Sequence, residues 1–155
     1  MANGDTVTVL SGNYAAGSAH SGIRMLWLVG LSGSIRCEAD DLSCVLSGSG
    51  TRMVMGVIGT SGGVLELRGL VFSDGHDSSG GGLRVADSAQ AYVVMCSIQQ
   101  NQGTYEGGGI FVKDGGTVVD LYGVSFSGNT SPSGPDINQH SGTITIHSAC
   151  SAGEN

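Results

Sequence analysis

Two short signatures recur along this chain at a nearly fixed distance, and they limit its folds more than any single residue does. One is a glycine run closed by an aliphatic residue: Gly80-Gly81-Gly82-Leu83, Gly107-Gly108-Gly109-Ile110, and the degenerate copy Ser133-Gly134-Pro135-Asp136-Ile137. Leu83, Ile110 and Ile137 fall 27 residues apart each time. The other is an apolar residue leading into a turn: Phe72-Ser73-Asp74, Ile98-Gln99-Gln100-Asn101 and Phe126-Ser127-Gly128-Asn129. Self-similarity at a period of roughly 20–50 residues marks a repeat architecture. No segment carries a convincing helical period, so the repeat predicts stacked coils of strands.

Such coils need like residues directly above one another, because one coil cannot bury its apolar face alone. Two columns meet that need: Leu46, Phe72, Ile98, Phe126 and Cys44, Leu70, Cys96, Val124. Upstream, Gly22 to Val29 aligns with Gly50 to Val57 at an offset of 28, and Val57 leads on to Leu83. The alternating runs Thr6-Val7-Thr8-Val9, Val64-Leu65-Glu66-Leu67, Ala91-Tyr92-Val93-Val94, Val118 to Tyr122 and Thr143-Ile144-Thr145-Ile146 read as strands. Asn, Asp, Ser and Gly clusters separate them. The chain has 28 glycines and two prolines in 155 residues, a composition suited to many tight turns. The expectation is an all-β, single-domain, right-handed parallel β-helix over residues 1–155, with five to six coils of 26–28 residues.

Charge excludes some partners. The net charge is −7 and Lys113 is the sole lysine. Nucleic-acid binding rests on clustered Lys and Arg neutralising phosphates, so nucleic acid is not expected. The same balance argues against an anionic membrane surface. No run of about 18 apolar residues is present, so the chain is not expected to span a membrane. The N-terminus lacks the basic and apolar regions of a signal peptide. Arg36, Arg52, Arg68 and Arg84 are spaced by 16. Against a period of 26–28 that spacing is expected to scatter them over different faces.

Of the four cysteines, Cys44 and Cys96 share an inward column two coils apart, about 9.6 Å by strand spacing. A disulfide needs Cα atoms within about 7 Å, so these two read as unpaired core residues. Cys37 could bridge to Cys44 only if Cys44 turned outward, which the column opposes. The pairing of Cys37 stays open, as does Cys150.

The paired signals F-x-x-N and G-G-[A/G]-[I/L/V] resemble the repeats of chlamydial polymorphic outer membrane proteins and related β-helix surface proteins. Phe126-Ser127-Gly128-Asn129 fits the first fully, Ile98 to Asn101 fits with Ile for Phe, and Phe72-Ser73-Asp74-Gly75 lacks the Asn. Gly81-Gly82-Leu83 and Gly108-Gly109-Ile110 fit the second. The opening Gly4-Asp5-Thr6-Val7-Thr8-Val9, with Gly12 and Tyr14, is similar to the first coil of pectin-lyase-like β-helices. The resemblance implies the fold and favours a cell-surface or secreted location. It does not select a function, because this fold hosts lyases, hydrolases, adhesins and inert scaffolds.

Acid–base work on a polysaccharide needs convergent carboxylates. The candidate acidic site is Asp74, His76 and Asp77, with Asp87 and Glu106 as outlying members. It could take Ca²⁺ or activate water. A solvated turn accounts for the same residues and is the reading adopted. Asp40-Asp41 is the one Asp-Asp pair and lacks partner motifs. His20, His76, His140 and His147 are scattered, so no metal or other cofactor is expected. No nucleophile elbow or phosphate-binding Gly-Lys-Ser/Thr motif occurs.

One strand breaks the alternation of apolar and polar faces. At an offset of 28, Met25, Trp27 and Val29 take the inward face, and Leu26, Leu28 and Val54 form an outward apolar patch. A loop over residues 17–22 or beyond Gly30 could cap it, or another protein could dock there. The function expected is a non-catalytic structural or interaction module that binds a partner protein or a glycan through a sheet face. The alternatives are a carbohydrate-active enzyme and an accessory subunit of a larger assembly.

Overall fold

The computed structural model describes residues 4–15, 24–59 and 63–147. The segment 17–22, His20 and Cys150 lie outside the described residues. Every described element is a strand, and every strand pairing is parallel.

The strands wind coil by coil. The first coil is β1 (Asp5–Val9), β2 (Gly12–Ala15) and β3 (Arg24–Val29). The second is β4 (Gly33–Cys37), β5 (Cys44–Ser47) and β6 (Met53–Ile58). The third is β7 (Val64–Arg68), β8 (Leu70–Ser73), β9 (His76–Ser79) and β10 (Leu83–Ala86). The fourth is β11 (Gln90–Val94), β12 (Ser97–Gln99), β13 (Gln102–Glu106) and β14 (Ile110–Val112). The fifth is β15 (Val118–Tyr122), β16 (Ser125–Ser127) and β17 (Ile137–Gln139), and β18 (Thr143–His147) opens a further turn.

Corresponding strands stack into three long parallel sheets. Sheet A runs β1-β4-β7-β11-β15-β18, sheet B runs β2-β5-β8-β12-β16, and sheet C runs β3-β6-β10-β14-β17. A short fourth sheet of β9 and β13 widens the corner between sheets B and C. This is a parallel β-solenoid, the expected fold.

The core is the column set. Leu46 pairs in register with Phe72, Phe72 with Ile98, and Ile98 with Phe126. All four are buried. Cys44 pairs with Leu70, and Cys96 and Val124 are buried beyond it in the same cluster. Leu83, Ile110 and Ile137 also stack as expected. Leu83 does not follow Val57, however: it pairs with Met55, while Val57 pairs with Val85.

The signatures are corner devices. Gly80, Gly107 and Gly134 hold φ of 78°, 54° and 59° at equivalent corners, the left-handed region where a Cβ is costly. A Cβ on Gly82 would lie 2.7 Å from the Gly109 carbonyl oxygen and 2.8 Å from Asn101 Nδ2. The glycine run therefore makes room for the buried side chains of Asn101 and Asn129.

The cysteines depart from expectation. Cys37 and Cys44 form a disulfide, with Cα atoms 5.6 Å apart. Cys44 did not need to turn outward. Cys37 ends β4 and Cys44 begins β5, so the corner between sheets A and B aims two inward side chains at each other. Cys96 is a free, buried thiol, as expected. It lies 3.4 Å from the Leu67 carbonyl oxygen and 3.3 Å from that of Val94.

Candidate functional site

The unusual surface is the outer face of sheet C, with residues different from those expected. β3 pairs with β6 as Arg24↔Met53, Leu26↔Met55, Trp27↔Gly56, Leu28↔Val57 and Val29↔Ile58, one residue away from the expected offset of 28. Side chains alternate along a strand, so a slip of one exchanges the faces. Leu26 and Leu28 turn inward and pack against the core, and Val54 is a fully buried member of it. These three are not an outward patch. Trp27 and Val29 are outward instead, 38% and 46% exposed.

The register has a steric cause. The six-membered ring of Trp27 lies against Gly56, and a Cβ there would come within 2.2 Å of two of its carbons. At the expected offset Trp27 would stack on Met55, which fills the core. The glycine inside an otherwise apolar strand marks the close approach.

Around Trp27 the sheet gathers cations. The Arg24 guanidinium stacks over the indole, 3.7 Å from the ring centroid. Arg84 pairs in register with Gly56 on the neighbouring strand, and its guanidinium lies over the Phe111 ring at 5.6 Å. Phe111 meets His140 edge-on with centroids 6.4 Å apart, and His140 Nδ1 is 3.5 Å from Glu106 Oε1. The Nε atoms of Arg24 and Arg84 are buried and make no hydrogen bond. None of the five strands of sheet C carries an Asp or Glu.

Several outer groups of sheet A bind one another. Tyr92 and Tyr122 have ring centroids 6.4 Å apart, and Tyr122 stacks on His147 at 3.9 Å. His147 Nε2 is 2.9 Å from Asp120 Oδ1. Lost hydration, then the charge of Asp120, pushes the Tyr122 phenol up. Arg68 pairs with Asp40 at 3.1 Å. Arg36 and Arg68 are register partners on adjacent strands, not residues on different faces as expected. The coil between them is longer than the rest, and their 32-residue separation matches it. Arg84 does lie elsewhere, on sheet C.

The candidate acidic residues are spread along a corner. Asp74 has φ of 50°, and the same left-handed turn recurs at Gln100 and Gly128 in the next two coils. Its carboxylate accepts a 3.4 Å bond from the Ser47 hydroxyl. Asp77 Oδ1 accepts bonds from the backbone and the hydroxyl of Ser78. His76 pairs in register with Gln102 on the small fourth sheet. Asp87 lies in the corner beyond sheet C, where its N–H donates to Asp114. Asp41 is held below the usual carboxylate range by bonds from Ser43. Among the described residues, no group of three or more His, Cys, Asp or Glu is placed to hold a metal ion.

No protein-family model, curated protein or solved structure matches this chain. The structure bears out the parallel β-solenoid, while no match supports the likeness of the motifs to polymorphic outer membrane proteins or pectin-lyase-like β-helices.

The pairing of Arg24 and Arg84 with aromatic rings was missed from sequence. The available signal was the lack of acidic residues in the sheet C repeats, together with Gly56 in an apolar run. The arrangement places exposed apolar side chains beside guanidinium groups.

Proposed function

We propose that this protein is a non-catalytic interaction module that docks a partner protein on the outer face of sheet C. The observation carrying the proposal is Trp27, exposed on β3 with Val29 beside it and Arg24 stacked upon it. Trp and Arg dominate the energetics of protein interfaces, and anchors on a preorganised sheet lose little entropy on binding. Covering an exposed apolar side chain contributes roughly 1.5–3 kcal/mol when burial is complete. Sheet A offers less, since its outer groups already bind one another. An accessory role in a larger assembly is the same proposal with a permanent partner. The likeness of the repeats to β-helix surface proteins accords with a binding role.

The test is site-specific photo-crosslinking in the organism's extract. A crosslinking residue at position 27 should give a discrete adduct, and one at position 92 on sheet A should not. Adducts at 92 alone, or at neither position, would overturn the assignment of the face.

A further inference from the structure

We infer that the partner segment recognised here is acidic: an extended peptide stretch whose carboxylates bind Arg24 and Arg84 on either side of Trp27. The inference rests on the docking reading above and adds the chemistry of the occupant.

The argument begins with charge. The chain has 13 acidic residues against six Lys and Arg, so cations have an abundance of internal partners. Arg68 has taken one. Arg24 and Arg84 have none among the described residues, although the Nε of each is buried. Both guanidiniums lie on aromatic rings, at 3.7 Å and 5.6 Å. Stacking satisfies the guanidinium face and leaves its edge donors free for a planar, bidentate oxyanion.

Geometry then favours a peptide. β3 and β10 flank β6, and Arg24 and Arg84 pair with Met53 and Gly56, so their backbones are two strand spacings and three residues apart, about 14 Å. Acidic residues four apart on an extended segment lie about 13 Å from one another. The strands of sheet C carry no acidic residue of their own to repel such a segment. Aromatic and Arg side chains together are the composition of peptide and protein interfaces.

Trp27 is the single tryptophan, so intrinsic fluorescence reports on this site alone. The full chain is titrated with a hexaglutamate peptide, with hexaglutamine and polygalacturonate as comparisons. The expected result is a saturable change in emission with hexaglutamate only, weakening as salt is raised because the contacts are charged. Arg24→Gln and Arg84→Gln should each weaken binding about tenfold or more, as for lost charged hydrogen bonds, and Arg36→Gln should not. Thermal melts confirm that each variant is folded, and Arg24→Lys supplies a second variant that keeps the charge. No response up to about 1 mM, or an equal response in the Gln variants, overturns the inference. A response to polygalacturonate alone overturns the peptide class. A change in emission with protein concentration, without any peptide effect, assigns the face to a second copy. If position 27 still crosslinks a partner while hexaglutamate fails, docking stands and the acidic occupant falls.

Discussion

The side-chain oxygen of Asn129 accepts two bonds from Asn101, one from its backbone N–H at 3.0 Å and one from its amide nitrogen at 3.1 Å. The pattern continues on both sides. Asn101 Oδ1 accepts the Gly75 N–H at 2.8 Å, and Asn101 Nδ2 also donates to the Phe72 carbonyl at 3.0 Å. Asn129 Nδ2 donates to the Ile98 carbonyl and to Asp136 Oδ1, each at 2.9 Å. Each amide thus links its own coil to neighbouring chain segments, using donors and acceptor together. The ladder explains why the repeat ends in Asn rather than Asp.

Asn129→Ala should destabilise the protein by about 1–3 kcal/mol, because buried backbone groups of two coils lose their partners. Asn129→Asp should cost at least as much, since it removes the donors and places a charge beside Asp136. Urea denaturation measures both. A variant as stable as the parent would show the ladder to be incidental.

Phe72 lies mid-column between Leu46 and Ile98 and is fully buried. Phe72→Ala should cost roughly 3–5 kcal/mol. An effect below about 1 kcal/mol, the level of a surface change, would contradict the column.

The columns could be read from sequence because their corners repeat with the same chemistry. Phe72, Ile98 and Phe126 each precede a left-handed corner residue by two positions, so spacing preserves register. β3 could not be read that way. Its alignment rested on Gly22 and Met25 matching Gly50 and Met53, whereas steric fit of Trp27 to Gly56 sets the register. One residue of turn length reverses every side chain. The disulfide was missed for a related reason: spacing along one column says nothing about where two columns converge at a corner. The pairing of the candidate site's cations was missed because their partners are rings, some on other coils, and only the acid-free sheet C repeats hinted at it.

Burial pushes the Cys96 thiol up to about 12. The unfolded thiol ionises near 8.5, so the folded value is the higher one. The stability this contributes is fully present below about pH 8.5 and declines as pH rises toward 12, by up to about 1.4 kcal/mol per pH unit. Denaturation midpoints at pH 8 and pH 10.5 should therefore fall further for the parent than for Cys96→Ala. Parallel declines would refute the assignment. In the native protein at pH 8, Ellman's reagent should leave Cys96 unmodified, as peptide mapping would show.

The Cys37–Cys44 bridge closes a short loop with a sequence separation of seven. Replacing both cysteines with alanine should cost about 2–3 kcal/mol through the freed unfolded chain. Differential scanning calorimetry under oxidising conditions checks this. No change in melting temperature would mean the corner holds without its bridge.

The most direct test of the whole account contrasts two double variants across the two faces of β3. Leu26→Thr with Leu28→Thr changes side chains packed on the core, whereas Trp27→Ser with Val29→Thr changes the exposed ones. Melting temperature and partner retention are measured for both. The account predicts that the first pair lowers the melting temperature by several degrees, and that the second lowers it less but loses its partner. The reverse pattern, with the Leu pair melting unchanged and losing the partner, would restore the 28-residue register and contradict both the fold of β3 and the binding face assigned to it.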